Sequence, residues 1–373
     1  MKNMLYNIPV KNLTQGKIEM REFKRIGVLT SGGDAPGMNA AVRAVCRTAL
    51  ARGVEVMAIY RGYSGLIDGD IKPLEIRDVS NIINKGGTVL YSDRCPEFKT
   101  VEGRAKAIDN CRRFGIDGIV AIGGDGTFQG ATKLCEEGIP CIGIPATIDN
   151  DITSTDNTIG FDTAMNTVIE LVDKLRDTCE SHARCNVVEV MGRGAGDIAL
   201  NTAIASGATA VVVPEFPHDD NSICKKIAKA KELGKRNFIV IVSEGVGMEY
   251  APALAKKIQE ETGVETKFAR LAHIVRGGNP TLADRIRASK MGVYAVEELL
   301  RGGSNKVICE RNGDICAISI AYSYMLDRMY KGKLVEGDLD KFSSEEIELM
   351  KAEIEEKKVE LLSLYTVENK INL

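Results

Sequence analysis

The segment Ile144–Ile152 reads IPATIDNDI and sets two aspartates, Asp149 and Asp151, on either side of Asn150. Carboxylates two residues apart in a polar loop suit three tasks: moving a proton, holding a cation, or closing an Asx-turn. In an extended segment both would face one side, so one could act as a base while the other orients its partner. A second loop, AIGGDGTFQGA (Ala121–Ala131), surrounds one acid, Asp125, with Gly123, Gly124 and Gly126, and Thr127 follows. Bare glycine amides can cradle polyphosphate, and a carboxylate beside them can hold Mg²⁺. The competing reading makes Asp125 a helix N-cap. A third loop, Ser31–Gly37, is rich in glycine and precedes a helical pattern, which suits an anion or a plain turn. Gly192–Asp197 is a fourth. Basic residues sit in several loops: Arg94, Arg184, Arg193, His273 and Arg276. Beside Gly-rich turns, arginines are well placed to grip phosphate.

The elements around these loops follow one pattern. Apolar runs of four to seven residues alternate with helical segments: RIGVLT, VEVMAIY, DGIVAIG, PCIGIP, NVVEVM, TAVVVP, NFIVIVS and NKVICE. Such runs read as parallel strands buried on both faces, hence the α/β class. Each of the four loops follows a strand, where ligands of open α/β sheets bind. Ser343–Tyr365 reads as a charged helix that forms a surface or packing appendage.

With 373 residues the chain is long enough for two domains. A net charge of -3 argues against a general nucleic-acid binder. No apolar run reaches membrane-span length, and residues 1–21 lack a signal-peptide block. Ten cysteines in no framework spacing read as reduced thiols of a cytoplasmic protein. Cys179, His182 and Cys185 lack a nearby fourth zinc ligand and read as ordinary side chains near a helix end.

Taken in order, GVLTSGGDAPGMNAAVR, YSDRCPEF, GGDGT, TIDNDI, VVEVMGR, SEG and HIVRGG resemble the ATP-dependent 6-phosphofructokinases of bacterial type, from about Lys24 to Tyr324. The resemblance implies two similar Rossmann-like domains with mostly parallel sheets and an active site in the cleft between them. It implies a larger nucleotide domain (22–160 plus 275–323), a smaller sugar-phosphate domain (161–274 plus 324–373) and an N-terminal extension (1–21). The implied reaction carries the γ-phosphoryl of ATP to the 1-hydroxyl of fructose 6-phosphate. Asp149 would be the base, and Thr147 and Asp151 would support the sugar end. Gly33, Tyr63, Arg94, Cys95 and Gly124 to Thr127 would meet ATP, with Asp125 on Mg²⁺. Ile148, Met191, Gly192, Arg193, Glu244, His273, Ile274, Val275 and Arg276 would meet the sugar phosphate. Arg184 and Lys267 would reach a neighbouring subunit's site, which implies a homo-oligomer, typically a tetramer. Arg43, Arg47, Arg176 and Lys235 match the family's effector site.

Departures accompany the match. Lys267 stands where an arginine is usual and loses the bidentate fork, which weakens sugar-phosphate binding. Ile76, Thr209 and Leu233 stand where an arginine, a glutamate and a lysine are common, so the effector response is expected to be weak. Pyrophosphate-dependent relatives tend to carry aspartate at 126 and lysine at 146. Gly126 clears space for a nucleotide and Ala146 adds no charge, which favours ATP. NAD kinases and lipid kinases share only GGDGT. A non-catalytic copy would be expected to lose Asp149, Asp125, Arg94 or Arg193, and all four are present.

Overall fold

A computed structural model describes residues 23–371; the expected extension 1–21 lies outside them. The elements run β1 (Arg25–Ser31), α1 (Met38–Ala51), β2 (Glu55–Ile59), α2 (Tyr63–Asp68), β3 (Ile71–Pro73), α3 (Val101–Phe114), β4 (Gly118–Gly123), α4 (Asp125–Glu136) and β5 (Cys141–Pro145). Then come α5 (Phe161–His182), β6 (Cys185–Val190), α6 (Asp197–Ser206), β7 (Ala210–Val212), α7 (Asp220–Glu232), β8 (Phe238–Ser243), α8 (Tyr250–Thr262) and β9 (Thr266–Arg270). The chain closes with α9 (Leu282–Leu300), β10 (Lys306–Arg311), β11 (Asp314–Ser319), α10 (Ile320–Tyr330) and α11 (Ser344–Ile371).

The chain is α/β and divides into two compact units. The first comprises Met1–Thr147 (described from Phe23), Ile152–Gly160 and Gly278–Ser343. Its seven-stranded sheet has the order β11-β10-β5-β4-β1-β2-β3. The central strands are parallel, and β3 and β11 are antiparallel edges. The second comprises Ile148–Asp151, Phe161–Gly277 and Ser344–Leu373 (described to Ile371). Its sheet, β7-β8-β6-β9, is parallel throughout. Strands β4, β5, β6 and β8 are buried along their whole length, as continuous apolar runs require.

Three differences from the sequence reading have local causes. The edge strands β3, β9 and β11 were not expected, because half-exposed strands lack a continuous apolar run. Tyr324–Ser343, expected with the sugar-side domain, belongs to the first unit, where α10 packs on α4, β10 and β11. Helix α11 extends beyond Tyr365 to Ile371, and of the two roles expected for it the structure shows packing. It packs on α6 and β7 of the second unit and buries Met350, Ile354 and Leu361.

The loops of the first unit are tied to one another. Because β1 and β4 are parallel neighbours, the turns after them lie at one edge. The Thr127 hydroxyl donates to the Ser31 carbonyl at 3.0 Å, and the Ser92 hydroxyl donates to the Gly32 carbonyl. The Thr30 hydroxyl donates to the Tyr91 carbonyl at 2.7 Å. Gly160 closes the arrangement: its amide donates to buried Asp284 of α9 at 3.0 Å. Gly160 has φ +104°, and a Cβ there would lie 2.7 Å from the Cβ of Ala35 in the first Gly-rich turn.

Gly160→Ala therefore combines backbone strain with a clash. A loss of roughly 1–3 kcal/mol is expected, read as a lower Tm by calorimetry.

Candidate active site

On the first unit, the GGDGT segment turns directly from β4 into α4. Gly123 is required by packing, since a Cβ would overlap the Ser31 carbonyl and the Thr127 hydroxyl. Gly124 and Gly126 are different: among the described residues, a Cβ at either meets nothing within 4 Å. At Gly126, in the first turn of α4, glycine costs helix stability without a packing return. What it leaves is open space over helix amides that point outward. Asp125 is the first residue of α4, while the N-cap is Gly124 and no side chain caps the helix. The N-cap reading of Asp125 is thus replaced by an acid beside the turn, which accepts from Gln129 at 2.8 Å.

Arg94 is exposed, and its backbone amide is fixed by Asp93 at 2.8 Å. Asp93 also accepts from the Ser64 hydroxyl, so the 91–95 loop is anchored to the start of α2. Cys95 is half-buried. Tyr63 does not present its ring. It is buried, stacks on Phe98 at 4.2 Å, and donates to the Thr127 carbonyl at 2.5 Å. Its part is to hold the GGDGT turn from behind. Gly33 sits in the exposed first turn. Ala146 is 1% exposed, and its amide donates to the Gly123 carbonyl at 2.9 Å. The Thr147 carbonyl accepts from the Thr158 hydroxyl at 2.6 Å.

On the second unit, the segment Ile148–Asp151 meets the loops that follow β6 and β8. It is not extended. Asn150 has φ +52°, so the chain turns between the two aspartates, a conformation asparagine tolerates better than most residues. Asp149 is 4% exposed. Its carboxyl is raised from 3.8 to about 6, first by burial and then by the charges of Asp151 and Glu244; Arg193 and Arg276 oppose the rise. Arg193 reaches Asp151 at 3.4 Å. One Glu244 oxygen accepts from the Gly192 and Arg193 amides at 3.2 and 2.8 Å. That bond holds the Met191–Arg193 turn, where Gly192 has φ +148° and Arg193 φ +53°. His273, Ile274, Val275 and Arg276 form a 3-10 turn after β9. Buried Val275 anchors it, His273 and Ile274 are exposed, and the buried Arg276 Nε has no acceptor among the described residues.

Arg184 and Lys267 do not join this group. Both pair with Glu265, at 2.7 and 2.9 Å, at the amino ends of β6 and β9. The Asp149 group lies at the carboxyl ends, the opposite edge of the same sheet. Arg176 and Lys235 form a separate cationic pair: Arg176 donates to Asn237 at 2.9 Å, and Lys235 to Thr209 at 3.5 Å. Burial and Arg176 lower the Lys235 ammonium. Arg43 and Arg47 lie on α1 in the first unit. The sequence reading gave no role to Asn150, Asp197, Glu215 or Asp327. Asp327 is buried on α10 and accepts from the Thr153 amide at 2.6 Å, which ties down the chain just past Asp151. The hydrogen bonds from Asn150 to Asp197 and from Thr153 to Asp327 span 47 and 174 residues and leave no local pattern.

Parallel sheets with functional loops at their carboxyl ends define a Rossmann-like α/β protein. Residues 25–299 match the family described as Phosphofructokinase, and the chain belongs to that family. It is 53% identical over 323 residues to an ATP-dependent 6-phosphofructokinase of Bacillus pumilus, covering 87% of this chain and 99% of that one. The solved phosphofructokinase of Saccharomyces cerevisiae aligns with a TM-score of 0.79 at 34% identity; 89% of this chain spans half of that longer one. A pyrophosphate-dependent phosphofructokinase from Marinobacter aquaeolei aligns with a TM-score of 0.68 over 80% of this chain and 83% of that one. At 24% identity it shows a likeness of fold alone.

The raised Asp149 carboxyl predicts a cost of stability. A buried acid that titrates near 6 instead of 3.8 makes its ionised form cost roughly 3 kcal/mol at neutral pH. The folded state keeps this proton longer than the unfolded chain, so stability falls as pH climbs from about 4 to above 6. Asp149→Asn should raise Tm at pH 8, and the gain should vanish toward pH 4. Thermal unfolding across that range checks it.

Proposed function

We propose that the protein transfers the γ-phosphoryl of ATP to the 1-hydroxyl of fructose 6-phosphate. The observation that carries this reading is Asp149, a buried carboxyl poised near 6 among two arginines and two further acids. Above that pH it is ionised and can accept the proton of an attacking hydroxyl. Arg193 and the acceptor-less Nε of Arg276 suit a phosphorylated sugar, with His273 beside them and Glu244 holding the Met191–Arg193 turn. Thr147 and Ile148 lead into the base from the Ala146 side, and Asp151 steadies Arg193.

The donor reading rests on the first unit. Gly33, the open face over Gly124 and Gly126, and the exposed Arg94 offer amides and a guanidinium to polyphosphate. Cys95 and Thr127 flank them, and Tyr63 supports the turn. Asp125 beside that space is a hard oxygen ligand that fits Mg²⁺, and the ion would neutralise phosphate charge there. Among the described residues, nothing lies within 4 Å of a Cβ placed at Gly126, which leaves room for a nucleotide there. At Ala146, 1% exposed, a lysine ammonium would have to be buried. The pyrophosphate-dependent alternative is the weaker one, since the 53%-identical relative is ATP-dependent and the pyrophosphate-dependent structure shares only the fold.

The first unit then serves the nucleotide and the second the sugar phosphate. Arg184 and Lys267, on the edge away from Asp149, would serve a neighbouring copy in a homo-oligomer, and a tetramer fits this best. Arg43 and Arg47 on the first unit, and Arg176 and Lys235 on the second, would each offer cations to a weakly bound effector. No helix among the described residues is long and apolar enough to cross a membrane, and a cytoplasmic enzyme fits the reaction.

Purified protein given fructose 6-phosphate should turn over faster with ATP than with pyrophosphate, and the reverse order would overturn the donor assignment. Asp149→Asn should lower kcat at least ~10²-fold with little change in KM. Near-normal turnover of that variant would remove Asp149 as the base.

A further inference from the structure

Asn150, between the two aspartates, is buried and left-handed, and its side-chain amide donates to Asp197 at 3.3 Å. Asp197 opens α6, where the helix dipole favours a carboxylate. Next to it, Glu215 accepts from the Gly196 amide at 2.7 Å through one oxygen. Its other oxygen is buried with no hydrogen-bond donor among the described residues. Two acids crowded under a helix start call for a cation. One comes from outside residues 25–299: half-buried Lys357 of α11, on the helix face that carries buried Met350, Ile354 and Leu361, and its field acts on both carboxylates. Helix α11 is seated there by its packing on α6 and by the Tyr365 ring stacked on Phe216 at 4.4 Å. Asp151 also acts on Asp197, and the charges of Asp197 and Glu215 act on each other.

We propose that Asp197 is a positioning residue for the reaction and that α11 completes its surroundings. Lys357 sets a positive charge beside Asp197 from α11, Asp197 holds Asn150, and Asn150 fixes the turn that places Asp149 and Asp151. The proposal rests on Asp149 being the base. A left-handed residue other than glycine is strained and stays so only while its surroundings hold it. A charge-assisted bond holds it more firmly than a neutral one. Burial and the Asp151 charge push the Asp197 carboxyl up, and Lys357 pulls it down. Removing that ammonium lets the carboxyl keep its proton to higher pH, so the tether weakens there.

Steady-state kinetics across pH 5.5–8.5 test this on the full chain, with circular dichroism to confirm folding. Asp197→Ala should lower kcat by ~10- to 100-fold with KM for the nucleotide little changed, as misplacement of a reacting group does. Asp197→Asn should recover part of it, because its amide oxygen still accepts from Asn150. Lys357→Met should move the acid limb of kcat to higher pH. Lys357→Arg should restore it, and Lys357→Met added to Asp197→Asn should move nothing further. Lys351→Met on the exposed face of α11 should match the parent. If Asp197→Ala fails to fold, Lys357→Met decides. A parental pH profile for Lys357→Met, or parental kcat for Asp197→Ala, overturns the proposal while an inactive Asp149→Asn leaves the reaction assignment standing. Normal turnover of Asp149→Asn removes the base assignment, and this proposal with it.

Discussion

One buried carboxyl governs the second unit. Asp149 is taken out of water beside two other acids, and two arginines offset only part of the penalty. A carboxylate in water would be ionised but a weak base at neutral pH. Here desolvation raises its proton affinity into the range where a hydroxyl proton can be accepted, and the cations keep it from rising further. The backbone around it turns through left-handed conformations. Asn150, Gly192 and Arg193 all have positive φ, and each is held by a named bond or ion pair.

The first unit solves a different problem. In the proposed reading, polyphosphate needs outward amides and room, which would account for glycine where a side chain would fit the protein. Gly124 and Gly126 are of that kind, whereas Gly123 and Gly160 answer to packing. The supporting side chains are spent inward. Thr127, Tyr63, Ser92 and Thr30 fasten three loops to one another at the edge of the sheet.

Much of this was legible in the residues themselves. Strands buried on both faces announce themselves as apolar runs, and loops at their carboxyl ends follow from the parallel order. The edge strand TKFAR did not, because half of its side chains face water. The extended reading of Asp149–Asp151 failed at Asn150, a residue that accepts a left-handed turn without advertising it. Tyr63 reads as a ligand contact by position, yet its ring is buried behind the turn. The partners of Asn150 and Thr153 are 47 and 174 residues away, so only the folded chain reveals Asp197 and Asp327.

The most direct test of this account is the titration of Asp149 itself, followed by carboxyl ¹³C NMR in the protein free of substrates. The surroundings described here place its midpoint near 6, well above an ordinary aspartate. A midpoint near 4 would mean that the carboxyl is solvated as in an open turn, and the physical basis for Asp149 as the base would be lost.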